Sequence, residues 1–417
     1  MTFADNSKGC IVQGVHDVTD PAVSVYAGGD VTYTSNAESE GSTIVEGSVH
    51  KATGRLAGRV LWGMGFIPPA NATMLAVGGN LQGNAWVGGN TRIGGKLDGQ
   101  LQITTKENLA AAGPGIDGEI ELLPYPDQHN ATITNNLGKS TALKVDTDGD
   151  GNIDTDYNGY TAKTLIPLST RLNTMPTTGT VTFGKSQDEL GHVVMVSTKY
   201  HTYEQVGVPL YKIDSTGSGL ITFTGDGQPH TQVFSIPDFS TSVPLEVNGS
   251  WDLAFNNIPD GQAIVINITK SGYMVVKPGW RIWVNGQDYT TAINKQDASL
   301  SRFRSIASRI MWNFPNLTEL KLDSGVVKRL QAIDHWENGK PIYRLEPANA
   351  NIAKGVLFPG SILLPHGNLY DLADSNGRIL VGNNITFEIW EHHNAPWIGF
   401  DEPQCFTING KTTASIS

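Results

Sequence analysis

The segment with the most chemistry in it is Asp146-Thr147-Asp148-Gly149-Asp150-Gly151-Asn152-Ile153-Asp154. Asp146, Asp148, Asp150 and Asp154 fall at relative positions 1, 3, 5 and 9, and Gly151 falls at 6, where such a loop has to turn. Ca2+ is a hard cation that takes six to eight oxygens at about 2.4 Å, and this spacing wraps carboxylates around one point. The backbone carbonyl of Asn152 is the expected ligand at position 7, and Ile153 the expected apolar anchor at 8. Position 12 is Tyr157 rather than Glu, so Asp154 or Asp156 would have to supply the missing bidentate ligand. No helical pattern flanks the loop, which separates it from an EF-hand pair. A solvated acidic turn is the plainer alternative. Four Asp in phase with the Gly favour calcium, in a role that stiffens the loop.

Other reactive residues are less suggestive. His392 and His393 are adjacent within Glu391-His392-His393-Asn394. On a strand, adjacent side chains leave opposite faces, so these two do not share an ion. Glu38 and Glu40 lie two apart and could face one way, as a polysaccharide-cleaving site would need, but a solvated turn is the favoured reading. No nucleophile elbow is present. The sequence thus points away from an enzyme. Cys10 and Cys405 are the only cysteines. Either they are two unrelated thiols or they form one disulfide stapling the ends; in an extracellular setting the disulfide is preferred, and closing so long a loop is worth about 5 kcal/mol in the chain-entropy account. Among the nine Trp, Trp62, Trp86, Trp280, Trp283 and Trp312 sit in apolar surroundings and read as core. Trp336, Trp390 and Trp397 lie beside polar residues and are weak candidates for ligand stacking.

The chain that must position these groups has 417 residues, of which 17% are charged and 47 are Gly, with a formal charge of −11. Low charge with abundant Gly suits many short strands and tight turns. The acidic balance argues against nucleic acid, which is held by clustered Lys and Arg, and against a polybasic membrane contact. No apolar run reaches the length of a membrane-spanning helix. Met1–Asn6 carries no signal peptide, so a secreted protein with this sequence is expected to be a piece of a longer chain.

Strand formers around Gly pairs recur at Tyr26-Ala27-Gly28-Gly29-Asp30-Val31, Ala76-Val77-Gly78-Gly79-Asn80-Leu81, Trp86-Val87-Gly88-Gly89-Asn90-Thr91 and, partially, Ile93-Gly94-Gly95-Lys96-Leu97. Gly and Asn tolerate positive φ, so each pair can turn the chain. Such repetition predicts a wound structure of the parallel β-helix kind. Leu300, Phe303, Ile306, Ala307, Ile310 and Met311 recur at steps of three and four, which predicts an amphipathic helix over about 297–312, capped by Asp297 and stopped before Pro315. The reading is a mainly β protein: residues 1–102 and 246–417 form a parallel β-helix-like core with one flanking helix, and 103–245 form an inserted β-rich region holding the calcium loop. Insertions on rigid scaffolds often carry recognition, so 103–245 is also the expected ligand-binding part.

Several segments together resemble the bacterial choice-of-anchor A adhesive domain family. The early match is Val23–Asp30, Glu46–Val49 and Ala76–Asn80. The middle match is Ile258–Gln262 leading into Val265–Ile268. The late match is Trp312–Asn316, Gly360–Pro365, Asn376–Asn383 and Glu391–Trp397. The matches bracket about 20–100 and 255–400 in the right order, and 103–245 departs from the pattern. The resemblance implies secretion, attachment to the cell wall by varied anchors or in a pilus, and adhesion to a host extracellular matrix protein, mucin or glycan, with no catalytic residues. The competing functions are a ligand-free stalk, a polysaccharide-degrading β-helix enzyme and an ice-binding β-helix; the last needs a regular Thr ladder, which the sequence does not show.

Overall fold

The computed structural model describes residues 2–5, 8–13, 23–33, 37–51, 60–63, 71–103, 131–185, 193–194, 211–212, 219–237, 250–289, 303, 305–322, 328–337, 340–345, 357–371, 373–387, 390–400 and 402–407. Most of the strands stack into three parallel sheets that form the faces of a coil. One face runs, in spatial order, Ile133–Thr134, Asn90–Ile93, Thr73–Val77, Thr43–Val45, Val25–Ala27, Ile379–Val381, Ser361–Leu364, Ile310–Asn313, Ile264–Ile268 and Gln232–Ile236, all pairs parallel. A second face of twelve strands and a third of seven follow the same order. This is the expected parallel β-helix.

The coils are not stacked in sequence order. The first complete coil, beginning at Val25–Ala27, lies in the middle. From there the chain climbs to Ile133–Thr134, crosses to the other end, and returns through 219–387 until Ile379–Val381 pairs beneath Val25–Ala27. The far end is closed by Thr180–Lys185, which pairs antiparallel with Gly219–Thr224. The crossing is made by 139–174, with a short helix at Lys139–Ala142, a hairpin of Lys144–Val145 with Thr155–Asp156, a π-helical turn at Thr161–Leu165 and an α-helix at Ile166–Thr174.

This strap explains the character of the first face. Val25, Val45, Leu75 and Ile266 point into the coil and join its interior. Tyr26, Ile44, Ala76, Val265, Met311 and Leu363 point outward and pack with Leu143, Leu165 and Leu172 of the strap. A sheet buried on both sides carries nearly continuous apolar strands, and Thr73–Val77, Ile264–Ile268 and Ile310–Asn313 are buried throughout. The interior is filled mainly by aliphatic residues and by aromatic contacts such as Phe223 on Phe255, centroids 5.0 Å apart and nearly parallel.

Three expectations change. The helix expected over 297–312 stops short: 303 and 305–307 are helical but Ile310–Asn313 is a strand, with Ile310 facing in and Met311 facing the strap, and all of 297–302 lies outside the described residues; Ile166–Thr174 is a flanking helix that was not expected. Strands of the 103–245 region are not a body apart. Gly219–Thr224 and Gln232–Ile236 pair with Ser250–Asn256 and Ile264–Ile268 across the expected boundary, because the first strands of the returning half must be laid down before that boundary. Third, Gly28, Gly29, Gly78, Gly79, Gly94 and Gly95 do not have positive φ. They are Gly because the coils touch there. A Cβ on Gly28 would run into the Gly382 carbonyl, one on Gly94 into the Gly78 carbonyl, and one on Gly79 into the Ser48 hydroxyl.

The residue after each pair completes the corner. The Asn384 amide N–H donates to Asn368 Oδ1 (3.2 Å), Asp30 to Asn384 Oδ1 (2.8 Å), Ser48 to Asp30 Oδ1 (2.7 Å), Asn80 to Ser48 Oγ (3.0 Å) and Lys96 to Asn80 Oδ1 (2.8 Å). A single ladder therefore crosses six coils, including the junction between the last coil and the first. Gly94→Ala should lower stability by about 2 kcal/mol or more, read as a drop in the urea midpoint. Gly184→Ala, where a Cβ meets nothing within 4 Å, should leave the midpoint nearly unchanged.

Candidate functional site

The acidic loop sits on the strap. Asp146, Asp148 and Asp154 each bring a carboxylate oxygen within 4.8 Å of the others. Asp146 accepts the N–H groups of Gly149 (2.6 Å) and Gly151 (2.8 Å), and Asp154 accepts the N–H and hydroxyl of Thr147 at 2.6 and 2.8 Å. Those two donors hold the Asp154 carboxyl below its ordinary range. Gly149 and Gly151 have φ of 80° and 93°, the conformation that lets the backbone fold onto its own carboxylates. Asp150 is not in the group; it accepts from the Asn152 backbone and side chain. Asp156 caps the next turn through Asn158. Ile153 does not anchor the loop, since it is 51% exposed; the buried anchors are Val145 and Tyr157 on either side. The loop is fixed to the coil where the Thr73 N–H donates to the Asp146 carbonyl and Arg92 donates to the carbonyls of Thr141 and Ala142.

The strap is latched by residues outside the sequence-level candidates. At the corner column occupied by Gly28, Gly78, Gly94 and Gly382, one coil carries Glu46. Its carboxylate accepts from Tyr26 Oη (2.6 Å) and the Tyr160 N–H (3.2 Å) and pairs with Lys139 Nζ (3.1 Å). Tyr26 Oη also accepts the Thr161 N–H. Burial first, then this carboxylate, raises the Tyr26 hydroxyl well above its ordinary value, so it stays a donor. Farther along, Asn313 donates to the Ser169 carbonyl (3.0 Å) and accepts from its hydroxyl (2.6 Å), while Asn267 donates to the Leu172 carbonyl (2.9 Å). The sequence signal for this element was the spacing of Leu165, Leu168 and Leu172 at three and four, with Pro167 in the first helical turn.

The histidine pair behaves as alternation requires. His392 is buried inside, with Ser375 Oγ at Nδ1 (2.9 Å) and Ser24 Oγ at Nε2 (2.7 Å). His393 lies on the other side, its Nδ1 3.2 Å from Glu40, whose second oxygen accepts the Asn394 N–H. Ser24 and Glu40 belong to the first coil and His392 and His393 to the last, so these contacts join the two halves of the stack. Trp397 is half-buried against Phe400 and the strap cluster rather than free for stacking; the side chains of Trp336, Trp390 and Trp280 lie outside the described residues. Trp62, Trp86 and Trp312 are buried, as expected of core residues, and Trp283 is half-buried.

The second face turns its outer side to solvent. One outward column reads Val275, Lys321, Tyr370, Thr386, Thr32 and His50 in consecutive register. The neighbouring column begins Tyr273, Glu319 and Asn368. Tyr273 and Tyr370 are exposed by 50% and 42%. Thr386 and Thr32 are the two threonines in that column, so it offers no regular Thr ladder.

Residues 24–328 match the sequence model of the family described as "Putative Ice-binding-like adhesive domain". The chain belongs to this family. The adhesive-domain match runs through 103–245, the stretch in which the motif resemblance lapses, in keeping with the strands that this region lends to the coil. No curated protein matches the chain. Among solved structures, the crystal structure of an ice binding protein from an Antarctic Biological Consortium is 11% identical, with a TM-score of 0.30 over 91% of this chain and 90% of that one. The assignment as a β-helix rests on the strand pairing itself. Among the described residues no helix is long and apolar enough to cross a membrane.

Burial, with a smaller push from His393, lowers the His392 pKa from 6.5 to about 3. The unfolded chain therefore binds a proton at this residue between those values and the folded chain does not. The stabilisation is complete above pH 6.5 and is lost as the pH falls toward 3. His392→Asn should flatten the acid limb of a stability-against-pH curve, measured by urea unfolding from pH 7 to 4.

Proposed function

We propose that this adhesive domain is a secreted module of the bacterial cell surface, carried in a longer cell-wall-anchored or pilus chain, that binds a host extracellular matrix protein, mucin or glycan. The observation that carries the reading is the outward second face, where Tyr273 and Tyr370 stand exposed on a rigid sheet beside Glu319, Lys321 and Asn368. Tyrosine offers an apolar ring and a polar tip on a stiff stem, which suits recognition of sugars and polar surfaces. From the coil spacing and strand rise the two rings are about 12 Å apart, a reach that spans more than one sugar unit. Binding here needs no catalytic group, and the buried placement of Glu40 and His392 supports a non-enzymatic role. Recognition on this face replaces the earlier assignment to 103–245, whose deletion would remove both the strap and the closing strands. Tyr273→Ser with Tyr370→Ser should weaken binding to a positive from a glycan array or matrix-protein panel at least tenfold, about 1.4 kcal/mol. Unchanged binding by a folded double variant would move recognition off this face.

We also propose that Asp146, Asp148 and Asp154 hold Ca2+, with Asp150 and the Asn152 carbonyl closing in on the ion. Support comes from three carboxylates converging within 4.8 Å on a loop already shaped by its own backbone. An ion there would relieve their mutual repulsion and tighten the strap. If calcium binds, adding it to 100 times its Kd should stabilise the protein by about 2.7 kcal/mol, seen as a rise in Tm that a chelator reverses and that Asp146→Asn with Asp148→Asn abolishes. A Tm indifferent to calcium would reduce the loop to an acidic turn.

A further inference from the structure

The two ends of the chain meet in a small antiparallel sheet of Thr2–Asp5, Lys8–Gln13 and Glu402–Thr407. In the Lys8–Gln13 and Glu402–Thr407 pair, Cys10 stands directly opposite Cys405. Directly opposed residues of an antiparallel pair leave the same face, with Cα atoms about 4.5–5.5 Å apart, inside the range that a disulfide spans. The register also orders the pair: Lys8/Thr407 and Gly9/Phe406 lie on the side toward the chain ends, while Ile11/Gln404, Val12/Pro403 and Gln13/Glu402 lie on the side toward the body.

We infer that Cys10 and Cys405 form a disulfide that carries tension past the fold, so that a pull on the two ends of the module never loads residues 11–404. The inference rests on the reading of the module as one link in a longer surface chain. Thr2–Asp5 and Glu402–Thr407 both run antiparallel to the strand between them, so the two tethers leave at opposite ends of the sheet and shear Thr2–Asp5 first. Once that strand is stripped, the force enters at Lys8 and opens the remaining pair from Lys8/Thr407, as a zipper opens. Two residue pairs part before the force reaches the cysteines. A covalent bond at that point closes the load path from Gly9 to Phe406 without passing through the coil. This holds wherever the small sheet lies relative to the coil. Without the bond, the same zipper runs on through four more pairs, the cysteine pair first, and the load then passes into the chain between them.

The bond forms by thiol–disulfide exchange. The thiolate of one cysteine attacks a disulfide oxidant, such as oxidised glutathione, and releases one reduced thiol. The thiolate of the other cysteine then displaces the second, so two protein thiols become one disulfide as the oxidant takes up two electrons. The test holds the full chain by handles at residues 1 and 417 in single-molecule force spectroscopy, after refolding with oxidised glutathione, after reduction, and as Cys10→Ser. The oxidised protein should lengthen only by its short ends. The reduced protein and the variant should lengthen by about 1,300 Å as the roughly 390 residues between the cysteines extend at about 3.3–3.6 Å each. If Cys10→Ser does not fold, reduction of the folded protein supplies the comparison. Two free thiols by mass spectrometry in the refolded protein, or full extension of the oxidised one, would overturn the inference. Neither readout involves a ligand, so loss of the adhesive reading would show separately, as absence of binding by the folded, oxidised protein.

Discussion

Neighbouring coils in this protein sit one hydrogen bond apart, and at the corners that spacing leaves no room for a side chain directed along the axis. Much else follows from that restriction. Gly28, Gly78 and Gly94 are without a Cβ because the carbonyl of the adjacent coil occupies its place. Asn384, Asp30, Ser48 and Asn80 follow because the amide of the next coil needs an acceptor there. These bonds lie at or near the surface, so each contributes about 1 kcal/mol, and together they help keep six successive coils in register. The in-register outward column of the second face, on which adhesion is proposed, goes with that regularity.

The strap turns a surface into an interior. Each face of a coil has one side toward the core, and here the first face is covered on its other side by 139–174. The attachment is polar at chosen points and apolar between them. Glu46 interrupts the run of Gly94, Gly78, Gly28 and Gly382, and its side chain goes to Tyr26, Tyr160 and Lys139. Asn313 and Asn267 meet helix carbonyls in a buried setting. Arg309 ties the Gln262 and Pro259 carbonyls to its own turn, and burial lowers its pKa. The acidic loop, on the same strap, meets the coil through its own contacts, where the Thr73 N–H donates to the Asp146 carbonyl and Arg92 donates to the carbonyls just before the loop.

The repeats around Gly-Gly made the wound architecture legible, although the physical reason for the glycines was clearance rather than positive φ. Clearance depends on what lies in the next coil, and one coil's sequence does not contain that. The helix expected over 297–312 was drawn too long for a related reason. A strand buried on both sides loses its alternation, so Ile310 and Met311 extend the helical stripe of Phe303, Ile306 and Ala307 even though they lie on a strand and face opposite ways. The convergence of Asp146, Asp148 and Asp154 was legible because residues within nine of one another are placed by local geometry; the departure of Asp150 was not, since its bond to Asn152 is a detail of the turn. The pairing of Glu40 with Asn394 was beyond reach, because it depends on the two ends of the chain closing on one another.

That closure has a consequence in time. The coil that starts the stack, Val25–Ala27 with Val31–Tyr33, receives its lower partners only from Ile379–Val381 and Ile385–Phe387. A chain emerging from the N-terminus builds upward at once, yet keeps a raw parallel edge beneath it until almost everything else has been made. Such edges invite pairing with other chains, and contacts this distant in sequence form slowly. The pairing of the first coil is therefore complete only once the last strands are in place. A lesion near residue 380 would leave the earliest-formed half complete in itself, sticky along one side, and open to capture by another unfinished copy.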